Sequence, residues 1–522
     1  MITQENFGDR KVAKLVDYTS YAEAIAHFSN EALWDLFDGT RDRLNIAHEC
    51  IDRHANSDRT AIMIARSDGG EEIISFADIS RASSQVAHYL RTESVVPGDR
   101  VAVMLEPSLA FYAAIFGVMK SGAVAVPMFT LFGPDGIRLR VEDCKPKILF
   151  TNEEKAGVAE AAGGTRVILA DDAFLSRIGR FPDTFSWDTR GDDLAMFQYT
   201  SGTTRLLPAA VHHNHRSIVT LMAAALYGTG IRPGDRFFCP SSPAWGHGLW
   251  HGTLAPLSMG VSTGTYSGRF DAVRLLRALS EFGITNLSAA ATHYRMMRNS
   301  GRAQDFTYAI EKLSFTGEPI DSETAGYVEG LFGTKVCSMY GTTEIGVILV
   351  SYPGAGDFEV RVGSLGKPIP GVEVQVQAPD GSPAEPDRTG DLMVRRRGEW
   401  FHTKDLARMD ADGFFYHAGR ADDVIISAGW TMSAVEIEDA ILKHKSVLEA
   451  AAIGVPDAVR GQVVKAFVVL RDSERPGLVE EIQNLVREAL SRHEYPRQIE
   501  FVAALPKTPA GKINRKILRD AA

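Results

Sequence analysis

The stretch DRVAVMLEPSLAFYAAIFGVMKSGAVAVP, from Asp99 to Pro127, reads as strand, helix, strand. Asp99-Arg-Val-Ala-Val-Met-Leu follows a Pro-Gly turn and is rich in apolar and β-branched residues, as a buried strand is. Ser108 to Ser121 is long enough for a helix that lies on an apolar face. Ala123-Val-Ala-Val-Pro then resumes an extended run. Neighbouring segments repeat the texture. Phe76 to Leu90 is predicted as a helix opened by Asp78 or Ser80, and Lys147-Ile-Leu-Phe-Thr and Arg166-Val-Ile-Leu-Ala as short strands. Alternation of this kind predicts an α/β fold with layered, largely parallel sheets from about Asn45 onward. The first 30 residues are polar and mixed, and are predicted to wrap the surface. The most apolar run, Ala110 to Phe132, is interrupted by Lys120, glycines and prolines. It reads as a buried helix and strand and not as a membrane span.

Past about Glu373 the pattern changes. Val372-Glu-Val-Gln-Val-Gln alternates with period two, and Gly390-Asp-Leu-Met-Val-Arg-Arg-Arg and Gly413-Phe-Phe-Tyr-His follow between Asp-Gly and Pro-rich turns. These predict antiparallel strands in a small β region. Beyond Gly419 a compact α+β unit is predicted, with helices near Ala434–His444 and Glu480–His493 and strands near Ala450–Val455 and Val464–Leu470. A boundary near Arg420–Asp423 divides the chain into a large N-terminal domain, 1–420, and a small C-terminal domain, 421–522.

Composition is that of an ordinary soluble protein with a large core. The 522 residues are 45% apolar, 9% aromatic and 23% charged, which suffices for more than one core. A net charge of -10 and a pI near 5.8 give no general attraction to nucleic acid or anionic membrane. Cys50, Cys144, Cys239 and Cys337 are far apart and have no metal-type pairing, and so read as reduced, buried thiols. The N-terminus lacks the apolar core of a secretory signal, so a cytoplasmic location is expected. A homodimer is left open.

Four segments carry chemistry. Tyr199-Thr-Ser-Gly-Thr-Thr-Arg-Leu-Leu-Pro-Ala-Ala-Val is a hydroxyl-rich loop around Gly202 whose N–H groups and hydroxyls suit a polyphosphate. It lacks Walker spacing. Met339-Tyr-Gly-Thr-Thr-Glu-Ile-Gly follows an apolar strand and ends in a carboxylate suited to a phosphate with its magnesium ion. Phe401-His-Thr-Lys-Asp405, with Gly419-Arg-Ala-Asp-Asp-Val-Ile-Ile-Ser-Ala-Gly429, offers a carboxylate for ribose hydroxyls and an arginine for a phosphate. Leu505-Pro-Lys-Thr-Pro-Ala-Gly-Lys512 holds a lysine near the tip of an open loop, where it can meet a negative reaction centre. Singly, each also fits a solvated turn, a salt-bridged linker or a basic tail.

Together, in this order and at this spacing, the four resemble the adenylate-forming superfamily of acyl-CoA synthetases, peptide-synthetase adenylation domains and firefly-type luciferases. The resemblance runs from about Asn45 to the end and is strongest at Tyr340–Glu344, Asp405, Gly419–Gly429 and Pro506–Lys512. It implies a ligase with ATP, magnesium and coenzyme A as cofactor and co-substrates. The carboxylate and ATP give an acyl-adenylate and pyrophosphate, and a thiol then takes the acyl group and releases AMP. It assigns Lys512 to charge on the carboxylate and α-phosphate, Thr343 to the α-phosphate and Glu344 to magnesium. Thr200, Ser201, Gly202, Thr203 and Thr204 form the phosphate loop. Gly317, Glu318, Pro319, Tyr340, Gly341 and Thr342 surround the adenine side, and Asp405 and Arg420 bind ribose. Asp422 takes the hinge position, Gly429 reaches the thiol channel, and Arg460 and Lys465 are candidates for the CoA phosphates.

The phosphate loop departs from the superfamily's T-S-G-T-T-G-x-P-K-G. Arg205 stands for the glycine, Ala209 and Ala210 for the lysine and glycine, and one extra residue precedes Pro208. Arg205 supplies a cation of different geometry, so weaker ATP binding with adenylation retained is expected. Ser242-Pro-Ala-Trp-Gly-His-Gly has no acid for a substrate ammonium, which speaks against α-amino acids. Acetate-specific relatives carry tryptophan at the place of Gly341, so glycine there predicts room for an acid larger than propionate. The expected acyl wall is Trp245, His247, Ala291, Met339, Gly341, Thr342 and Ile345, with a medium-length or aromatic acid as substrate; fatty-acid or aromatic-acid metabolism follows. His247 reads equally as a satisfied core histidine. The spacing of His212, His213 and His215 suits no common zinc site. Free CoA is the expected acceptor. A carrier-protein loader and a non-catalytic nucleotide-binding relative are the alternatives.

Overall fold

The computed structural model describes residues 13–199, 210–342, 345–396, 398–420, 425–427, 430–432, 434–457, 461–490, 495–508 and 512–522. Asp99–Pro127 folds as its pattern predicts. Strand Arg100–Met104 leads through helix Leu109–Lys120 into strand Val124–Pro127, which pairs with it in parallel, Arg100 against Val124. Ser108 caps the helix, its hydroxyl accepting from the Phe111 N–H at 3.3 Å. Lys120, the charge in the apolar run, is 1% exposed. It is neutralised by Asp52 at 2.6 Å and donates to the Ser80 carbonyl at 2.9 Å. The helix Phe76–Thr92 starts at the expected residue, but neither Asp78 nor Ser80 is its cap. Ser75 is the cap and Asp78 reaches back to it, a reciprocal capping box.

Among the described residues the strands form four sheets. One runs 166–169, 148–151, 100–104, 124–127, 194–199, 210–214, parallel except for its last strand. The largest begins as a parallel array, 60–66, 262–267, 236–238, 286–290, 312–316 and 336–342. At Val336–Thr342 it changes character. The chain doubles back as Gly346–Val350, and every later strand of this sheet pairs antiparallel: Ser364–Pro368, Phe415–Arg420, Glu399–Met409, Gly390–Arg396 and Val374–Gln377. The antiparallel strands expected past Glu373 are present, and they continue the parallel sheet.

A separate, smaller C-terminal unit has its own core. Strands Val447–Asp457, Gly461–Leu470 and Gln498–Phe501 carry helices Ala434–Leu442 and Leu478–Ala489 on Ile437, Ile441, Val464, Ile482 and Val486. The four cysteines are buried and free. No described helix is long and apolar enough to cross a membrane.

Candidate active site

In an open sheet of parallel strands, ligands bind outside the carboxyl ends of the strands. Here Asn286–Ala290, Lys312–Thr316 and Val336–Thr342 end side by side. The middle strand runs into Gly317-Glu318-Pro319. Gly317 has φ +95°, a conformation that only glycine adopts without strain. It also permits a close approach: a methyl group there would lie 3.2 Å from Trp245 Cη2 and 3.6 Å from Lys512 Cε. Three segments far apart in sequence thus meet at one glycine, and one of them brings an ammonium group.

The Glu318 carboxylate turns away from this point. Arg295 Nη2 donates to it at 2.6 Å, as does the Thr292 hydroxyl. Both lie on helix Ala291–Asn299, three residues apart and so on one face. The pair anchors the loop and leaves its main chain facing the site. Neither Thr292 nor Arg295 was singled out from the sequence, where only their i, i+3 spacing marks them.

On the neighbouring strand, alternation sends Tyr340 to one face and Met339 and Gly341 to the other. The Tyr340 hydroxyl donates to Asp405 Oδ2. Asp405 is 4% exposed, and its other oxygen lies 3.6 Å from His417 Nε2. Its own N–H donates to Thr403 Oγ1 at 3.1 Å, next to Lys404 with φ +68°. Register sets Asp405 directly opposite Arg420. Asp405 is thus a buried carboxylate within strand Glu399–Met409, held by a phenol.

Lys512 is carried by a loop whose frame is backbone. Thr508 N–H donates to the Lys512 carbonyl at 2.7 Å, Lys512 N–H donates to Thr508 Oγ1 at 3.2 Å, and Asn514 N–H donates to the Pro506 carbonyl at 2.8 Å. Just beyond, Arg515 grips Glu438 at 2.7 Å, and Glu438 accepts the Ala452 N–H at 2.7 Å. The lysine is thereby tied to the C-terminal core while its chain reaches Gly317. A weaker link across the same gap joins Arg471 to Glu323 at 3.7 Å.

Residues 51–399 match the AMP-binding enzyme family, and residues 436–512 match the AMP-binding enzyme C-terminal domain. The chain belongs to the AMP-binding enzyme family. The acetyl-coenzyme A synthetase of Bacillus subtilis (strain 168) is 30% identical, over 96% of this chain and 94% of that protein. Among solved structures, an acyl-CoA synthetase from Brucella canis aligns with TM-score 0.75 at 31% identity, covering 97% of this chain and 99% of that one. The anthranilate CoA ligase AuaEII in complex with anthranoyl-AMP aligns with TM-score 0.85 at 26% identity, covering 92% and 98%. This AMP-binding enzyme is of the acyl-CoA synthetase type.

The remaining site residues of this AMP-binding enzyme divide in two. Thr200, Ser201, Gly202, Thr203, Thr204, Arg205, Thr343, Glu344, Asp422, Gly429 and Arg460 lie outside the described residues. The others are placed, and several differ from expectation. Met339, expected on the acyl wall, is 2% exposed and belongs to the main core, where a methyl group on Gly228 would meet its sulfur at 3.0 Å. Ile345 packs against the antiparallel strands with Ile348 and Val376. The space expected at Gly341 is filled by main chain: a methyl group there would fall 2.1 Å from the Gly346 carbonyl oxygen. The hairpin needs glycine because its strands approach so closely. Lys465, a candidate for CoA phosphate, pairs with Glu500 at 2.9 Å and lies over the Phe467 ring.

His247 is a satisfied core histidine. Ser241 Oγ lies 3.0 Å from Nδ1 and Ser288 Oγ 2.8 Å from Nε2, and burial pushes its pKa well below the ordinary value. Ser288 in turn accepts from Ser314 at 2.8 Å. The segment His247–Leu254 winds as a π-helix, a form enriched at functional sites. Gly248 makes this possible, since a methyl group would fall 2.3 Å from the Ser241 and Ser242 carbonyls. Ala291 is buried at its helix start. Of the expected acyl wall, Trp245 is the residue that reaches Gly317. The histidine cluster disperses: His212 stacks on Phe197 at 3.9 Å, His213 lies against Trp250, and His215 Nδ1 accepts from the Ile46 N–H at 3.1 Å. No group able to hold a metal ion is found among the described residues.

Proposed function

We propose that this AMP-binding enzyme activates a medium-length or aromatic carboxylic acid with ATP and transfers the acyl group to coenzyme A. The observation that carries the proposal is Lys512 Cε at the Gly317 loop, beside Trp245. A cation held there neutralises charge where a carboxylate oxygen attacks the α-phosphorus. The new C–O–P bond forms as the bond to pyrophosphate breaks. Charge stabilisation by a pre-placed group of this kind is often the largest contribution to catalysis.

The Gly317-Glu318-Pro319 main chain and Tyr340 would border the adenine, and Asp405, oriented by Tyr340, would accept from the ribose hydroxyls. Magnesium falls to Glu344 by the superfamily's pattern, and when bound it would neutralise phosphate oxygens. In the second step the thiolate sulfur of CoA attacks the acyl carbon, a C–S bond forms, and AMP leaves with the electron pair of the broken C–O bond. That step requires Lys512 to withdraw, and rotation of 421–522 against 1–420 about Asp422 would do so. The aromatic Trp245 beside the site, and the aromatic acid bound by the related anthranilate ligase, favour a planar or medium-length acid.

The experiment is AMP release from a panel of aliphatic and aromatic acids with ATP and free CoA. Acyl-CoA formed from a member larger than propionate is the expected result. Adenylate formation with no thioester from free CoA would replace CoA by a carrier protein as acceptor. Acetate as the best substrate would overturn the proposed acid class.

A further inference from the structure

One buried polar group beside the Trp245–Gly246 segment has no partner among the described residues. Gln198, near the end of strand Leu194–Tyr199, is 1% exposed. Its Oε1 accepts from Trp250 Nε1 at 2.9 Å. An indole N–H can only donate. This bond therefore fixes which end of the amide is which and turns Nε2 the other way. Nε2 is buried and has no partner among the described residues. Leaving such a donor unpaired costs about 1–3 kcal/mol, and native interiors satisfy nearly all of them.

The amide faces Gly246. A methyl group on Gly246 would lie 3.4 Å from Nε2, and Gly246 itself is half-buried. Glycine at this position keeps an approach to the amide open. Gly246 directly follows Trp245, whose ring lies with Lys512 against Gly317. The Trp245–Gly246 step thus has Lys512 and Gly317 beside its first residue and the Gln198 amide beside its second. Across Trp250 stands His213, ring centroids 4.6 Å apart, its Nε2 likewise buried and without a partner among the described residues. Burial pushes the His213 pKa down to about 4, so the ring is neutral at physiological pH.

We propose that Gln198 Nε2, reached past Gly246, determines specificity by donating to an uncharged oxygen on the acyl chain remote from the carboxylate: a hydroxyl, keto or ether oxygen. This rests on the acid–CoA ligase reading above. Gln198, Trp250, Gly246 and His213 bring no charge, so a second carboxylate would lose its hydration there without a counter-ion. A purely hydrocarbon chain would leave the amide unpaired. Sites built to hydrogen-bond a substrate oxygen discriminate strongly against analogues that lack it.

The test is kcat/KM for CoA-dependent AMP release with matched acids on one skeleton, bearing hydrogen, hydroxyl, keto or carboxylate at the remote position. The wild-type protein is expected to favour the hydroxyl or keto acid over the unsubstituted one by about 10-fold or more. Gln198→Met removes the donor, and the ratio should fall to near unity. Gly246→Ala is the variant that keeps the fold. Its backbone is helical, with φ -53° and ψ -42°, and the new methyl makes only ordinary contacts. It covers the amide and should lower the same ratio. A wild-type preference for the unsubstituted or dicarboxylic acid overturns the proposal. So does a ratio unchanged in both variants, which would mean that a water molecule satisfies Nε2. Absence of AMP release with every acid would overturn the ligase reading itself, a result distinct from activity without discrimination.

Discussion

Truncating Lys512 to alanine should separate the two half-reactions. The ammonium is joined to Cε, which lies 3.6 Å from the Cβ position of Gly317. An ammonium about 4 Å from the charge developing between carboxylate and α-phosphate is worth about 4 kcal/mol at an effective dielectric constant of about 20. Lys512 is only half-buried, so screening reduces this to about 3 kcal/mol, or roughly 100-fold in rate. The loss should fall on adenylation, because charge is neutralised there and not in thiol attack on the finished adenylate. The fold should survive, since the loop is held by the Thr508 and Lys512 main chains and by Arg515 on Glu438. The assay is single-turnover pyrophosphate release with acid and ATP, set against thioester formation from supplied acyl-adenylate and CoA. The first should drop about 100-fold and the second should change less than about 3-fold. Equal loss in both would refute the placement of Lys512 charge on the first step.

Other outcomes follow from the same geometry. Tyr340→Phe removes the phenol that holds the buried Asp405; a hydrogen bond to a charged group is worth about 1.5–3 kcal/mol, so KM for ATP should rise about 10-fold or more with KM for the acid little changed, and the reverse pattern would exclude Asp405 from nucleotide binding. Stability should fall as pH drops from about 6.5 toward 4. His215 is fully buried, and desolvation lowers its pKa from 6.5 to about 4 in the folded state; the unfolded chain binds the proton first, so its contribution is complete above pH 6.5 and lost as pH falls through 4. One such group amounts to about 2 kcal/mol between pH 7 and pH 5, read by denaturant melts at the two pH values. His215→Gln should flatten that slope, and an unchanged slope would assign the acid sensitivity elsewhere.

The legible part of the fold was its periodic part. The unit Asp99–Pro127 announces strand, helix and strand because burial on both faces of a parallel sheet demands continuous apolar runs. The antiparallel alternation past Glu373 was equally plain, but its attachment to the parallel sheet was not, since pairing of Val336–Thr342 with Gly346–Val350 is a matter of which edge is free. The helix at Phe76 starts where expected, but its cap is Ser75, in a reciprocal box with Asp78, and not Asp78 or Ser80.

For the site, sequence order and residue type by themselves determined the superfamily and singled out Lys512, Tyr340 and Asp405, of which the structure joins Tyr340 to Asp405. Only the tertiary structure decided what each neighbour does. Met339 is buried in the main core and Ile345 is half-buried against the antiparallel strands. Gly341 looked like space and is a point where two main chains touch. His247 could have been a ligand or a core residue, and Ser241 in the preceding loop and Ser288 on strand Asn286–Ala290 made it the latter. Gln198 carried no signal at all until Trp250 took its oxygen and Gly246 lay open to its nitrogen. Periodicity records whether a side chain is buried, while its partner is set by contacts that periodicity does not record, whether five residues away, as for Gly341 and Gly346, or far apart in sequence, as for Gln198 and Trp250.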